Sequence, residues 1–193
     1  HNYLIKVKHQ SLTSKISFNF HAVISIKPNT IKNVVEEYGA EAVPYLEADD
    51  LLGIHQTEDT VIWSLDKDLR QIPGAHLDDE TMKVVTVDEV GLVEKRGKKV
   101  YFNGLIGFYL QLLTGDSTDY IVGCGKRVEG VWKSGKKKGE SRIKREGVGP
   151  MAALKLLEGL SPPEALKQVA RAYYAEFGDE WKSMMETQAN LLW

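Results

Sequence analysis

The sequence predicts an α/β protein whose sheet is partly parallel, followed by a helical C-terminal region. Residues 60–64 form an apolar, β-branched run, which is typical of a buried parallel strand. Runs of this kind alternate with segments of helical periodicity, as they do in α/β proteins. A chain of 193 residues, of which 42% are apolar, is long enough to bury a core.

The first 26 residues predict a β-hairpin. Residues 3–7 are β-prone, residues 15–20 alternate polar and apolar side chains, and residues 11–14 would form the turn. The bases of this segment either contact a phosphate backbone or lie on a solvated strand face, and the second interpretation is favoured. These bases are Lys6, Lys8 and Lys15.

Further elements follow in chain order. The pattern predicts a helix over residues 30–38, a strand over 43–46 and a helix that begins near Asp49. After the strand at 60–64 it predicts a brief helix over 69–72, a turn at Pro73-Gly74 and a strand over 83–87. Residues 94–99 would be a charged hairpin tip, and residues 104–113 a largely buried helix.

The C-terminal part is basic and then helical. Residues 126–145 hold 9 bases and 2 acids, and their Gly and Lys content predicts a mobile loop. Gly147-Val148-Gly149-Pro150 would be a tight turn into a helix, with one or two further helices after Gly159. The predicted domains are an unassigned segment 1–26, an acidic core 27–123 and a basic, helical region 124–193.

Composition narrows the class of protein. The single cysteine, Cys124, excludes an internal disulfide framework and cysteine-based zinc sites. No apolar run approaches the ~18 residues of a membrane span, so we expect an intracellular, cytoplasmic protein without a membrane partner. Residues 41–94 hold 14 acids and 3 bases, so the acidic core and the basic region suggest metal ions at one place and a polyanion at another.

Seven acids gather in three short clusters, each placed where an apolar segment ends. They are Glu47, Asp49 and Asp50; Asp66 and Asp68; and Asp116 and Asp119. Massed carboxylates repel one another, and a pair of hard divalent metal ions would relieve that repulsion. Two metal ions about 4 Å apart can stabilise both the attacking and leaving oxygens of a phosphodiester. The clusters therefore predict a Mg²⁺-dependent phosphodiesterase.

Two questions about these acids stay open. The first cluster could instead hold acids that stabilise a helix N-terminus through the helix dipole. Lys67 lies between Asp66 and Asp68, where it would either balance their charge or contact the scissile phosphate.

The Gly147-Val148-Gly149 turn predicts a second kind of site. Two glycines let backbone N–H groups approach phosphate oxygens, and the next helix adds its dipole. Most such turns are only turns, but this one follows the basic segment and precedes a helix that contains Lys155. We therefore predict sequence-independent binding of duplex DNA, with salt-sensitive affinity added by Lys126, Arg127, Lys133, Lys136, Lys137 and Lys138.

Four segments together resemble the flap endonuclease-type 5′ nucleases, which include phage 5′–3′ exonucleases and the 5′-nuclease domain of DNA polymerase I. In chain order they are Glu47-Ala48-Asp49-Asp50, Ser64-Leu65-Asp66-Lys67-Asp68-Leu69-Arg70-Gln71, Thr114-Gly115-Asp116-Ser117-Thr118-Asp119-Tyr120-Ile121 and Gly147-Val148-Gly149-Pro150-Met151-Ala152-Ala153. In the third segment, Tyr120 stands where the family has Asn. The basic insert is similar to one in T7-like phage exonucleases, so we expect a phage origin.

The resemblance implies a PIN-like nuclease core, a helix–hairpin–helix DNA clamp and a DNA substrate with a 5′ end or flap. It implies two Mg²⁺ ions, replaceable by Mn²⁺. The implied ligands are Glu47, Asp49 and Asp50 at the first ion, Asp116 and Asp119 at the second, and Asp66 and Asp68 facing both. The hairpin around Val148 would hold a phosphate through its amides and K⁺ through its carbonyls.

The N-terminal part departs from the family. Its members open with an Asp-bearing strand, a second Asp and a basic arch, whereas this chain has no Asp before Asp49. We therefore expect the first strand, two ligands and the arch to be missing or replaced, the sheet to lose its central strand, and nuclease activity to be weak or absent. The alternatives are a non-catalytic DNA-binding remnant and a PIN-type RNase, against which the Gly-Val-Gly-Pro turn counts.

Overall fold

The computed structural model describes residues 2–9, 18–25, 48–78 and 80–192. It divides the chain into two compact units, His1–Glu89 and Val90–Trp193. We placed the end of the acidic core at residue 123, and that functional division stays a prediction. Four predicted features lie outside the described residues: the turn at 11–14, the helix at 30–38, the strand at 43–46 and Glu47.

The first unit contains a five-stranded mixed sheet, which confirms the prediction of a partly parallel arrangement. In sheet order the strands are β1 (Asn2–His9), β2 (Phe18–Ser25), β3 (Thr60–Trp63), β4 (Gly74–Leu77) and β5 (Val84–Val87). The three inner strands are parallel, and β1 and β5 pair antiparallel at the edges. The carboxyl ends of the inner strands therefore share one edge, where open α/β sheets collect their ligands.

The N-terminal residues form the predicted hairpin and belong to this sheet. β1 and β2 pair antiparallel along their full length, and β2 runs parallel to β3 from Asn19 to Ala22. The first strand was expected to be missing or replaced, and in the described sheet β2 lies in an inner position between β1 and β3. β2 contains no acid, so it supplies a strand without supplying a carboxylate ligand.

A small apolar cluster holds the acid-bearing segments of the first unit against the sheet. Leu51 and Leu52 belong to helix α1 (Ala48–His55), and Leu69 to a short 3-10 helix (Asp68–Gln71). These three side chains are buried with Ile62 of β3. Fully burying one such side chain contributes about 1.5–3 kcal/mol. Both helices were predicted, and the structure confirms them.

The strand β4 is missed by sequence reasoning, which predicts only a turn at Pro73-Gly74. Gly74 is the first residue of the strand, with φ of +133°. A side chain on Gly74 would overlap the amide of Gln56. Gln56 donates from Nε2 to the Ala75 carbonyl at 3.4 Å, so this glycine makes room for a contact that aligns the strand.

The second unit packs helices around its own buried core. It contains the hairpin β6 (Leu92–Arg96) and β7 (Lys99–Asn103) and the helices α2 (Gly104–Thr114), α3 (Pro150–Leu157), α4 (Pro162–Phe177) and α5 (Trp181–Leu192). Leu113, Val169 and Tyr173 are fully buried, and the Tyr173 hydroxyl donates to the Leu112 carbonyl at 2.7 Å. The predicted charged hairpin tip, buried helix and later helices are confirmed.

The prediction of a mobile loop over residues 126–145 is wrong. These residues lie in an antiparallel hairpin of β8 (Gly125–Val131) and β9 (Ser141–Gly147), which pair along all seven residues of each strand. The region 124–193 is therefore not all-α. The prediction was based on the Lys and Gly content and gave too little weight to the β-branched residues Val128, Val131 and Ile143. Pairing between the two strands stabilises them despite the weak β-propensity of Lys and Gly. Within the described residues, no helix combines the length and apolar character that a membrane crossing requires.

Candidate metal and nucleic-acid sites

The first acid cluster lies at the start of α1. Asp49 and Asp50 occupy the first turn of this helix, where the N-terminal dipole stabilises negative charge. Asp49 is half-buried and Asp50 is exposed. Both the metal-ligand and the helix-stabilising interpretations of these two acids stay open, and Glu47 lies outside the described residues.

The second cluster lies in a loop directly after β3, as predicted. The Ser64 hydroxyl accepts the Asp66 N–H at 3.0 Å, and the Asp66 carboxylate accepts the Asp68 N–H at 3.0 Å. These bonds shape the turn that leads into the 3-10 helix, whose Leu69 is buried. The Lys67 ammonium pairs with the Asp68 carboxylate at 3.2 Å. That ion pair favours the charge-balancing role for Lys67.

The third cluster lies in a closed loop after α2. Asp116 is buried, with 4% of its surface exposed, whereas Asp119 is exposed. The Asp116 carboxylate accepts the Thr118 N–H at 2.6 Å. Asp116 and Asp119 offer carboxylate oxygens within 4.8 Å of each other, a separation that one metal ion can bridge.

Two glycines make this loop possible. Gly115 has φ of +64°, and Gly123 has φ of +68°, a conformation that side chains rarely adopt. A Cβ on Gly115 would lie 2.6 Å from the Gly123 nitrogen, so the two backbones pack too closely for a side chain. The Gly123 N–H also donates to the buried Gln188 at 2.8 Å. The loop is thus anchored to α5.

The chemistry of these acids fits a hard divalent cation. Asp68, Asp116 and Asp119 each offer a carboxylate oxygen that could hold a metal ion. A ligand set of oxygens alone is typical of Mg²⁺ and Mn²⁺ rather than of zinc.

The predicted DNA-binding bases fall mainly on the hairpin of β8 and β9. Its tip exposes Lys133, Lys136, Lys137 and Lys138. Lys126 and Arg127 lie on β8, and their side chains are outside the described part of the chain. Lys155 is exposed on α3. The exposed lysines can meet a polyanion without losing a buried contact.

The Gly147-Val148-Gly149 segment is arranged differently from a simple turn. Gly147 ends β9 opposite Gly125. The Val148 N–H donates to the Cys124 carbonyl at 3.3 Å, so a phosphate bound there would compete with this bond. Gly149 precedes α3, and no atom of the described residues lies within 4 Å of the place where its Cβ would be. Close approach of a phosphate is therefore easier at Gly149.

Sequence reasoning missed one pair of residues on the basic hairpin. The Arg142 guanidinium lies over the Trp132 ring, 4.4 Å from its centroid. A tryptophan next to a lysine-rich run was a visible signal for nucleic-acid contact, because indole rings stack on bases. The partner on the opposite strand was not visible, because the hairpin itself was not predicted.

Searches of known protein families, of curated proteins and of solved structures found no match to this chain. The nuclease assignment therefore depends on the sequence motifs and on the local geometry of their residues.

Proposed function

We propose that the chain is a metal-dependent 5′ nuclease that hydrolyses DNA phosphodiester bonds. The observation that carries the proposal is the loop of Asp116 and Asp119. It holds a buried carboxylate and an exposed one within 4.8 Å of each other. Two carboxylates held this close repel each other, and a divalent cation bound by both acids would relieve that repulsion.

Each group of acids would have its own role in metal binding. Asp116, oriented by its bond from Thr118, and Asp119 would hold one metal ion. Asp66 and Asp68 would act on the metals directly or through water. Asp49 and Asp50 would serve a second ion together with Glu47. Bound Mg²⁺ would activate water and neutralise charge on the phosphodiester.

DNA would be held by the basic hairpin and by the start of α3. The exposed lysines at the tip of β8 and β9 supply charge that does not depend on base sequence. The N–H of Gly149 would approach a backbone phosphate, and among the described residues no atom crowds the Cβ position of this glycine. Binding should weaken steeply as the salt concentration rises.

Hydrolysis of a labelled duplex with a 5′ flap, with Mg²⁺ or Mn²⁺, tests the proposal. We expect weak cleavage that Asp116→Asn abolishes, while the uncharged amide still accepts the Thr118 N–H. Asp179→Asn, which alters an exposed acid on the 3-10 helix Gly178–Glu180, is the matched control. Cleavage that persists in Asp116→Asn would contradict the assignment of this loop.

A double-mutant cycle tests whether Asp116 and Asp119 bind the same ion. If they do, Asp119→Asn and the double variant should each lose about as much Mn²⁺ affinity as Asp116→Asn, because the first lost ligand already disables the site. Independent, additive losses in calorimetry would mean that the two acids bind different ions.

A second function is favoured by one specific observation. The strand beside β3 is β2, and it contains no acid, whereas the resemblance implies a strand that carries an Asp. The chain would then bind DNA through the basic hairpin without cleaving it. Tight DNA binding together with undetectable Mn²⁺ binding would support this reading and exclude the nuclease.

A further inference from the structure

Trp132 lies at the neck of the basic hairpin. Its backbone N–H donates to the Glu140 carbonyl at 3.0 Å, and its backbone carbonyl accepts the Gly139 N–H at 2.9 Å. These two bonds close the loop that carries the exposed lysines at 133 and 136–138. The ring is therefore attached to paired backbone, at the place where the strands end and the loop begins.

One face of the Trp132 ring is already occupied by a cation. The Arg142 guanidinium lies 4.4 Å from the ring centroid, which is within the range of a cation–π interaction. The Nε–H of Arg142 is buried and meets no hydrogen-bond acceptor among the described residues. Stacking on the indole, rather than a hydrogen bond from this nitrogen, therefore holds the guanidinium plane.

Trp132 nevertheless remains 39% exposed. A large aromatic side chain that is held on one side and open on the other is suited to stacking a flat ligand. The segment 126–145 carries 9 bases and 2 acids, so the complementary ligand is anionic. A ligand that is both flat and polyanionic is a nucleic acid whose bases are unpaired.

We propose that Trp132 and Arg142 form a stacking platform for an unpaired base, and that the lysines of the loop hold the phosphates on either side. The occupant is a single-stranded nucleic acid, and base-paired DNA would meet only the lysines. The inference rests on the proposed function in one respect: the strand bound here would be the free end of a nuclease substrate.

The test compares three labelled ligands of equal length by fluorescence anisotropy in EDTA: oligothymidylate, a strand of abasic sites and a duplex. The abasic strand keeps the phosphates and removes the bases. We expect the protein to prefer oligothymidylate to the abasic strand by roughly tenfold, the effect of about one stacked base. In Trp132→Ala this preference should disappear, while duplex affinity changes less than about twofold.

Two further variants serve as controls. Trp132→Phe retains a ring and should retain most of the preference for oligothymidylate, which separates stacking from damage to the hairpin. Tyr174→Ala removes an exposed aromatic ring on α4 and should change nothing. A wild-type protein that binds the abasic strand as well as oligothymidylate would overturn the proposal. So would equal losses for single strand and duplex in Trp132→Ala.

The result does not depend on catalysis, because EDTA removes the metal ions. Loss of flap cleavage in Asp116→Asn with intact base preference would therefore separate the two proposals. Oligouridylate distinguishes the source of the strand. If its binding shows the same dependence on Trp132, the platform accepts RNA as well as DNA, which supports the same site.

Discussion

Asp116 and Ile121 exchange two backbone hydrogen bonds. The Asp116 N–H donates to the Ile121 carbonyl at 3.0 Å, and the Ile121 N–H donates to the Asp116 carbonyl at 2.7 Å. The four residues between them therefore form a closed loop. This loop carries Asp119 and exposes 79% of Tyr120. The geometry of the candidate metal ligands is thus controlled by backbone bonds, and changes in the backbone of the loop should alter metal binding.

Gly115→Ala should damage both stability and metal binding. The new Cβ would lie 2.6 Å from the Gly123 nitrogen, and backbone cannot move aside as a side chain can. We expect the free energy of unfolding to fall by about 2 kcal/mol and Mn²⁺ affinity to fall with it. Urea unfolding and calorimetry measure the two effects.

Gly135→Ala is the matched control for this substitution. Gly135 also has positive φ, +78°, but within the described part of the chain no atom lies within 4 Å of its Cβ position. The free energy of unfolding of this variant should fall only by the cost of the strained backbone, about 1 kcal/mol. Its metal affinity should not change. Equal losses in the two variants would mean that the approach of Gly115 to Gly123 is unimportant.

Tyr120→Asn should stabilise the protein. Tyr120 has φ of +61°, in the left-handed region that Asn tolerates better than other side chains. Because the tyrosine side chain is 79% exposed, little burial is lost. We expect the free energy of unfolding to rise by about 0.5–1 kcal/mol. Tyr120→Phe keeps the strained backbone and should show no gain, so a gain there would refute the explanation.

Lys67→Met should strengthen metal binding if the ammonium serves to balance charge. Lys67 pairs with Asp68 at 3.2 Å, and a metal ion at Asp68 must compete with it. Stability should change by less than about 1 kcal/mol, since both partners are partly exposed. Lys83→Met, at an exposed position before β5, is the control. Unchanged Mn²⁺ affinity with slower cleavage would instead indicate that Lys67 contacts the phosphate.

His76 should make the first unit less stable in mild acid. Burial lowers the pKa of His76 below its ordinary 6.5; its hydrogen bond to the Ile72 carbonyl opposes the shift, and the charge of Arg70 adds to it. The unfolded chain therefore takes up this proton first. Stability should be full above about pH 6.5 and fall as the pH drops below that value, until the folded protein is protonated as well.

Urea unfolding at about pH 7.5 and about pH 5.5 measures the effect, and we expect the lower free energy of unfolding at the lower pH. His76→Gln should reduce the difference between the two pH values. His55→Gln, at the end of α1, should leave it in place. A wild-type protein that is as stable at the lower pH as at the higher one would contradict the prediction.

The sequence predicted local structure well and long-range pairing poorly. The buried strand at 60–64, the 3-10 helix after it and the helix that ends before Gly115 follow from side-chain periodicity and glycine positions within a few residues. β4 was missed because Gly74, its first residue, follows a proline and therefore predicts a turn. The reason for this glycine is its contact with Gln56, which the sequence does not show. The hairpin of β8 and β9 was missed because its lysines and glycines obscured the pairing of residues up to 22 positions apart, Gly125 with Gly147.

By itself, the sequence determined where the carboxylates lie relative to the ends of strands and helices, because short-range periodicity and turn chemistry set those positions. Only the tertiary structure decided that β2 lies beside β3, that Asp116 is buried within reach of Asp119, and that Arg142 covers Trp132. The physical reason is that these contacts join residues through hydrogen bonds and packing across turns and strands. Such contacts depend on the whole folded unit and leave no periodic pattern in the sequence.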